Sequence, residues 1–440
     1  MIRLAVLLAF ILACAATEPL HPPDVPDTPP PTEDTADAVL PTIPPECDPG
    51  REPDGCTPPA RCWHHRCVTI DPLDLGISAH GSVGAMALAP LGDEGAVLAF
   101  HAHPASDEGP NTSPHSIWTL RLEESESQPA ALLHEWHEER SDGGPLLAVA
   151  PLSDSHHAVL LGPDPLEVFF PPDRSSAGFA TGARIIAGDG RFRASAGATG
   201  EVFAIYHDVP GVALQIVSYQ QEMGWRVAHS ATVPPAGLVS RFATTRTAGG
   251  LLFVHVDESD RSGIVRGARL FHEGPQGWTE RSVRLADGLA IRGRVLGIGA
   301  TTDSRGEPVI GWLTSASRLG LARKASEDRW DTDDGALSEA VVSEELRDAF
   351  ALAAWGEVIV AAWIAEPDEC VCSELRLAMW YRGRFQERGI ERYERRAAGS
   401  VALAITPAGW LYLAVGGEPG ASTGLPAPAL FVAELPIFDS

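Results

Sequence analysis

The sequence predicts an all-β fold built from a repeated unit. From about residue 80 onward, the 440-residue chain lacks long helical periodicity and shows short apolar strands separated by Gly, Asp and Pro. One pattern recurs seven times: an apolar strand, a turn that usually contains Gly, and a second apolar strand that ends in a polar or aromatic residue. The turns follow one another at intervals of about fifty residues, which leaves room for four short antiparallel strands per unit. These observations predict a β-propeller of seven blades, each a four-stranded antiparallel sheet.

The copies of the repeat are visible in the sequence itself. They occupy residues 84–103, 146–164, 193–208, 241–257, 295–313, 349–363 and 400–417. Several copies are followed by an aromatic residue ahead of the expected outer strand: Trp225, Trp278, Trp330 and Phe385. The second copy is short and lacks this aromatic residue, so a propeller of six blades is the alternative.

The last copy of the repeat lacks a fourth strand. Residues 427–437 offer a third strand, and little chain follows them. Residues 68–77 carry strand-like sequence that has no place in the first copy. We expect this segment to complete the last blade, because closing the ring removes an exposed sheet edge.

The first residues predict export. Residues 1–13 hold an apolar run of about ten residues, which is too short to span a bilayer and fits a signal peptide. The run ends in Ile-Leu-Ala-Cys14, which resembles a lipobox, and the resemblance implies lipidation of Cys14 after cleavage. With Ala15 as the next residue, the resemblance implies an outer-membrane lipoprotein facing the periplasm or the surface. Ordinary cleavage in the same stretch, giving a soluble periplasmic or secreted protein, is the alternative.

Two short segments separate the signal peptide from the propeller at 68–440. Residues 14–46 are dense in Pro, Asp and Glu and predict a semi-stiff acidic tether. Residues 47–67 are too few for a core of their own and predict a small module stapled by disulfides. The cysteines predicted to form disulfides are Cys47, Cys56, Cys62 and Cys67, together with a local Cys370–Cys372 pair. A zinc site using His64 and His65 is the alternative, although zinc clusters usually pair their ligands as CxxC or HxxxH.

The charge of the chain limits its partners. A formal net charge of −26 and a pI near 4.9 argue against nucleic acid, because a nucleic-acid-binding surface is basic. The lipid anchor is the only predicted contact with a membrane. No cofactor and no metal ion are predicted.

The repeats resemble the sialidase-like and related BNR-type propellers, in which a strand, a Gly turn and a strand precede a late Trp. The resemblance covers roughly residues 80–440 and is architectural, because the Asp-box SxDxGxTW is absent. For a sialidase-like enzyme it implies three clustered arginines, a nucleophilic Tyr beside a Glu, and an acid/base Asp. Tyr206 is the only tyrosine in the repeated strand-end regions, so catalysis is not favoured.

The repeat geometry selects a candidate ligand-binding set. In a propeller, the connection into the innermost strand and the loop after the second strand emerge on one face, around the central channel. The residues at these positions are Arg193, Arg241, Arg294, Arg347, His207, Asp208, His255, Asp257, Trp312 and Trp363. Arginine matches small anions, while Trp and His offer stacking surfaces. The alternative is that polar side chains at strand ends simply reach water.

The favoured function is non-catalytic, extracytoplasmic recognition of a partner protein or an acidic polysaccharide at the channel face. A sialidase-like carbohydrate-active enzyme and a structural envelope lipoprotein are the alternatives.

Three further motifs resemble functional sites but are interpreted as ordinary structural features. The HEWHE sequence at 134–138 is interpreted as a solvated outer strand, and His156-His157 as an exposed turn. The DTDDG sequence at 331–335 lacks the spacing of a calcium loop.

Overall fold

The computed structural model describes residues 56–436 with internal gaps, and the described residues form thirty β-strands. The gaps are 58–59, 65, 74–81, 104–114, 124–125, 128–129, 137–145, 155, 163–166, 171–191, 197–200, 208–212, 221–222, 233–240, 248–249, 260–263, 275–276, 284–294, 315–317, 325–329, 338–349, 366–371, 394–398 and 418–428. The described residues all fall within one compact unit, Pro45–Ser440. The predicted signal peptide, Cys14 and the predicted tether lie outside the described residues.

Three short strands come before the first blade: β1 (Arg61–Trp63), β2 (Arg66–Val68) and β3 (Asp71–Leu73). The first two form an antiparallel hairpin in which Cys62 lies opposite Cys67. A disulfide joins Cys56 to Cys67, two of the four cysteines in residues 47–67 that were predicted to form disulfides. Cys62 and Cys372 also take part in disulfides, while Cys47 and Cys370 lie outside the described residues.

The first two copies of the repeat form two separate sheets. Blade 1 contains β4 (Ser82–Leu91), β5 (Gly95–His103), β6 (His115–Glu123), β7 (Glu126–Ser127) and β8 (Ala131–Trp136). Its strand β6 pairs with β5 on one side and with both β7 and β8 on the other. Blade 2 contains β9 (Leu146–Pro151), β10 (His157–Gly162) and β11 (Glu167–Phe169). Within the described residues, the short second copy therefore makes a three-stranded blade of its own, and the six-blade alternative is wrong.

The next four copies each form a four-stranded antiparallel sheet in chain order. Blade 3 contains β12 (Phe192–Ala196), β13 (Val202–His207), β14 (Ala213–Gln220) and β15 (Gly224–Thr232). Blade 4 contains β16 (Arg241–Thr247), β17 (Gly250–Ser259), β18 (Ile264–Gly274) and β19 (Gly277–Val283). Blade 5 contains β20 (Val295–Thr302), β21 (Pro308–Thr314), β22 (Arg318–Lys324) and β23 (Trp330–Ala336). Blade 6 contains β24 (Phe350–Trp355), β25 (Val358–Ala365), β26 (Ser373–Tyr381) and β27 (Arg384–Tyr393).

Blade 7 is completed by a strand from the beginning of the chain. It contains β28 (Gly399–Ile405), β29 (Trp410–Gly417) and β30 (Ala429–Glu434), and β3 pairs antiparallel with β30 as the fourth strand. The register joins Asp71 to Val432 and Leu73 to Leu430. The predicted closure of the ring by the segment 68–77 is confirmed for residues 71–73.

The first strands of the blades surround the centre of the ring. Each contacts the first strand of the next blade, in the order β4, β9, β12, β16, β20, β24 and β28, and β28 contacts β4. The all-β, seven-bladed propeller predicted from the repeats is confirmed.

The core lies between neighbouring blades. Every residue of β21 and of β25 is buried, because each sheet is covered on both faces by its neighbours. Separate apolar clusters join blades 1 and 2, blades 2 and 3, blades 3 and 4, and blades 4 and 5. This two-sided burial explains why the second strands read as continuous apolar runs instead of alternating patterns.

The turns between the first and second strands define one face of the ring, called here the turn face. Gly306 and Gly356 occupy these turns with φ of 73° and 57°, a backbone conformation that favours glycine. Neighbouring turns are joined by hydrogen bonds: the Ser304 N–H donates to the Gly356 carbonyl at 3.1 Å, and the Ala408 N–H to the Asp93 carbonyl at 2.9 Å. The turn face therefore links blade 5 to blade 6 and blade 7 to blade 1.

The β1–β2 hairpin packs on the outer strands of blade 6. Trp63 is fully buried in the cluster that contains Trp380 and Met379. The Arg388 guanidinium donates to the Cys62 carbonyl from Nη2 at 3.0 Å and from Nε at 3.2 Å. The His64 N–H donates to Gln386 Oε1 at 2.6 Å. The disulfide-stapled hairpin is therefore packed against blade 6 as part of the same folded unit.

No helix among the described residues is long and apolar enough to cross a membrane.

Candidate functional site

The strand register brings several of the predicted channel-face residues to the same sheet ends. In blade 4, Arg241 pairs with Val256 and Phe242 with His255, so Arg241, His255 and Asp257 lie at the end opposite the turn face. In blade 3, Arg193 pairs with Ile205, and His207 ends the second strand. Because β12 contacts β16, these two blade ends are neighbours. Asp208, Arg294 and Arg347 lie outside the described residues.

The two predicted tryptophans belong to the core instead of the surface. Trp363 has no exposed surface and lies in the large cluster of blades 5 to 7. Trp312 is 4% exposed, and its indole occupies the space that a side chain at Gly320 would need. This corrects the expectation that either ring is offered to a ligand. The neighbouring blades cover both rings, and a sequence pattern within one blade does not reveal that cover.

The turn face carries a repeated acidic position that the sequence analysis missed. A Gly-Glu dipeptide precedes the second strand in blades 3, 5 and 6, which places Glu201, Glu307 and Glu357 at equivalent points. Each glutamate meets a basic side chain of its own blade: Arg226 at 2.7 Å, Lys324 at 3.1 Å and Arg382 at 3.7 Å, respectively. The repeated Gly-Glu dipeptide is the sequence signal that could have identified this acidic position.

The blade 3 member of this series is built differently from the other two. The Glu201 side chain is 11% exposed, whereas Glu307 is 45% and Glu357 is 59% exposed. Glu201 Oε1 accepts hydrogen bonds from both Arg226 Nη2 and Gln220 Nε2. Arg226 Nε also donates to Ser218 Oγ at 2.9 Å, which fixes the guanidinium plane. Exposed ion pairs contribute little, so the ordered blade 3 network is the one to consider as a site.

Blade 4 contributes a second pair of charges, Glu273 and Arg246, next to Glu201 and Arg226 of blade 3. Burial raises the pKa of Glu273, and the nearby Glu201 carboxylate raises it further, while Arg246 and Arg226 oppose the shift. Because Glu273 is only partly buried, water screens its interactions with these charges, and the pKa shift adds little to the stability of the protein. Two carboxylates and two guanidinium groups therefore act on one another where blade 3 meets blade 4.

Aromatic side chains pack next to these charges, and Phe203 and Phe253 among them are buried between the two blades. Trp278 is the cross-strand partner of Glu273, and its ring centroid lies 5.7 Å from that of Phe203 and 5.5 Å from that of Phe253. His229 stacks on Trp278 at 6.3 Å with an interplanar angle of 24°. Phe203 lies on β13, and Glu201 immediately precedes the first residue of that strand. We call Glu201, Gln220, Arg226, Arg246, Glu273 and Trp278 the blade 3–4 cluster.

The described side chains offer little else for metal or cofactor chemistry. No group of three or more His, Cys, Asp or Glu side chains in the described part of the chain is arranged to hold a metal ion. Asp331, Asp333 and Asp334 lie on strand β23. His64 Nε2 lies 3.2 Å from the Met379 carbonyl, within the packed hairpin contact, and His65 is outside the described residues.

Comparison with known proteins gives likeness of fold only. No known family profile matches the chain, and no curated protein matches it. Among solved structures, AofleA from Arthrobotrys oligospora aligns with a TM-score of 0.47 and 12% identity over 75% of this chain and 94% of that one. The fucose-specific lectin of Aleuria aurantia, a six-bladed β-propeller, aligns with 0.45 and 11% over 69% and 94%. The α-L-arabinanase of Penicillium chrysogenum aligns with 0.43 and 10% over 80% and 92%. These TM-scores and identities are too low to support any argument about the blade count or the site. Both are therefore taken from the strand pairing and the side chains of this chain.

Proposed function

We propose that the propeller is a non-catalytic recognition module that binds a saccharide at the blade 3–4 cluster. Saccharides present hydroxyl groups that donate and accept hydrogen bonds, together with apolar C–H faces that pack on aromatic rings. The cluster combines carboxylate acceptors, guanidinium and amide donors, and the Trp278 ring. Its two carboxylates and two guanidinium groups are balanced in charge, which suits a neutral sugar.

The observation that carries the proposal is the contrast among three equivalent glutamates. If Glu201 served only the blade architecture, its partners would resemble the exposed pairs of Glu307 and Glu357. Instead its carboxylate is held by two donors while Arg226 stays 52% exposed. A fixed acceptor next to an accessible donor is the arrangement that orients a polar ligand with little loss of side-chain entropy.

The equivalent glutamates also supply the matched control for a binding test. We expect a glycan array to identify a saccharide ligand, and titration calorimetry to show at least about tenfold weaker binding for Glu201→Gln, the loss of about 1.4 kcal/mol. Arg226→Gln is expected to act similarly, whereas Glu357→Gln removes an exposed pair and leaves affinity unchanged. Equal loss in Glu357→Gln, or no glycan bound by the unaltered protein, would contradict the proposal.

The predicted channel-face residues support recognition of an acidic polysaccharide as a second function. The register places Arg241, His255 and Asp257 at one end of blade 4, beside the equivalent end of blade 3. Arg241→Ala and Arg294→Ala are expected to reduce binding of acidic glycans on the same array. Unchanged binding of acidic glycans by both variants would remove this second function and leave the blade 3–4 cluster unaffected.

Glycoside hydrolysis is the enzymatic alternative, and the presence of two carboxyl groups, Glu273 and Glu201, that act on each other where blade 3 meets blade 4 favours it. A pair of carboxyl groups that flank the scissile bond is what most glycoside hydrolases use. In that case the protein would cleave a saccharide, whereas a recognition module would only bind it. An unaltered protein that hydrolyses aryl glycosides, with the activity lost in Glu273→Gln, would replace recognition by catalysis.

We also propose that the protein is exported and anchored by a lipid on Cys14. The proposal is supported by the apolar run of residues 4–13 and the lipobox-like ending at Cys14. Mass spectrometry of the mature protein is expected to show an N-terminal diacylglyceryl-cysteine. A mature N-terminus that lacks Cys14 would contradict lipidation and leave export intact.

A further inference from the structure

The strand that closes the ring is weakly held by its own pairing. β3 pairs with β30 over the residues Asp71–Leu73 only. Asp71 and Pro72 are exposed, and Pro72 has no N–H to donate to the sheet. A force that reached β3 from its N-terminal side would therefore act on few hydrogen bonds. Losing them would reopen the ring between blade 7 and its fourth strand.

The β1–β2 hairpin lies directly ahead of this strand and is held more firmly. Trp63 is fully buried in the large cluster of blades 5 to 7, and Val68, at the end of β2, is 2% exposed in the same cluster. The Arg388 guanidinium donates two hydrogen bonds to the Cys62 carbonyl and lies 5.9 Å from the centroid of the Trp63 ring. The hairpin therefore combines apolar burial with charge-assisted hydrogen bonds, and β3 has neither at Asp71 and Pro72.

The disulfide makes the hairpin respond to a pull as one piece. Cys56 is bonded to Cys67 on β2, so residues 57–66 cannot be drawn out while the bond is intact. A pull that reaches Cys56 passes through the bond to β2 and acts on the whole hairpin. Cys62 takes part in a second disulfide, so a pull that arrives there acts on the hairpin as well. The contacts with blade 6 must then break together, which resists a force better than contacts that break one after another.

We propose that the β1–β2 hairpin is a load-bearing clasp for the ring. A pull on the chain ahead of Cys56 is carried into blade 6 through Trp63 and Cys62, and β3 stays paired with β30. A saccharide bound at the blade 3–4 cluster of a lipid-anchored protein would produce such a pull. The biological source of the load therefore rests on the proposed function, whereas the mechanical role of the hairpin does not.

The test is single-molecule pulling on the chain of residues 15–440, which carries no lipid. One handle is attached ahead of Ala15. The other is attached through a short enzymatic tag inserted beside Met223, a 62% exposed turn residue of blade 3. At constant force, the first event is expected to release the hairpin and β3 together. Trp63→Ala and Arg388→Met should each shorten the time to this event at least about tenfold, because each removes a contact that bears the load.

Leu160→Ala is the matched control. Leu160 is fully buried in blade 2, so its truncation weakens the folded protein at equilibrium without touching the clasp. It should leave the time to the first event unchanged. Unchanged times in both Trp63→Ala and Arg388→Met would overturn the proposal, as would an equal shortening in Leu160→Ala.

The second clasp variant keeps the test decisive. Arg388→Met removes the hydrogen bonds to Cys62 and leaves Trp63 in place, so it remains informative if Trp63→Ala fails to fold. Urea unfolding shows whether each variant is folded and how much equilibrium stability it loses. Because the pulled chain carries neither lipid nor saccharide, a negative result leaves the proposed anchor and the blade 3–4 cluster unaffected.

Discussion

At the scale of single residues, the clearest departures from the sequence analysis concern side chains that neighbouring blades cover. The sequence predicts an exposed turn at His156-His157, yet His157 is the first residue of β10 and is 6% exposed. Burial, with smaller contributions from the charges of Arg121 and His156, lowers the pKa of His157 to about 4. Neither ring nitrogen of His157 has a hydrogen-bond partner among the described residues. A polar residue at a strand end looks the same in sequence whether the next blade covers it or water does.

His157 gives a prediction about acid stability. Its pKa is lower in the folded protein than in the unfolded chain, so the unfolded chain binds the extra proton as the pH falls through 6.5 towards 4. The free energy of unfolding should then fall by up to about 1.4 kcal/mol per pH unit, or by about 2 kcal/mol in total between pH 7 and pH 5. Urea unfolding at pH 7 and pH 5 should show this loss, and His157→Leu should lack it. An equal pH dependence in both proteins would contradict the assignment.

At the scale of elements, the repeats predict the strands well, and the candidate site poorly. Hairpins such as β24–β25 follow directly from apolar runs around a glycine turn. The blade 3–4 cluster depends on which residues of blade 3 face which residues of blade 4, and a single-blade pattern contains no such information. The Gly-Glu dipeptide marks Glu201, but it marks the exposed Glu307 and Glu357 equally.

The β1–β2 hairpin gives a prediction at this scale. Trp63 is fully buried against blade 6, and removing a buried Trp costs about 3–5 kcal/mol. Trp63→Ala should therefore lower the free energy of unfolding by that amount while saccharide affinity at the blade 3–4 cluster stays unchanged. Val227→Ala, at a 57% exposed position, is the control and should change stability little. A stability loss below about 1 kcal/mol in Trp63→Ala would mean that the hairpin is only loosely held.

At the scale of the whole molecule, the repeat period and the missing fourth strand together predict the closed ring. Their combination was sufficient because a closed propeller leaves few arrangements for an unpaired strand and an unpaired edge. The side chains that a ligand meets depend on loops and on strand ends, which vary from blade to blade. The ring is therefore readable from the sequence, whereas the ligand-binding positions require the assembled structure.

Ring closure can be tested by truncation. A chain lacking residues 1–46 should keep the unfolding temperature of the full chain, because β1, β2 and β3 remain. A chain lacking residues 1–73 should unfold at a lower temperature and self-associate, because the edge of β30 is bare. Calorimetry and size-exclusion chromatography measure both effects, and Trp63→Ala shows how much belongs to the hairpin alone. Identical behaviour of the two truncated chains would contradict closure by β3.

The pairing of β3 with β30 also sets an order of events during biosynthesis. Residues 71–73 leave the ribosome first among the strands of blade 7, and their partner, residues 429–434, leaves last. Blades 1 to 6 can form as the chain emerges, but the final sheet can form only after residues 429–434 have left the ribosome. Until then the nascent chain carries an open ring, and a chaperone that holds unfinished chains would find its substrate in that open ring.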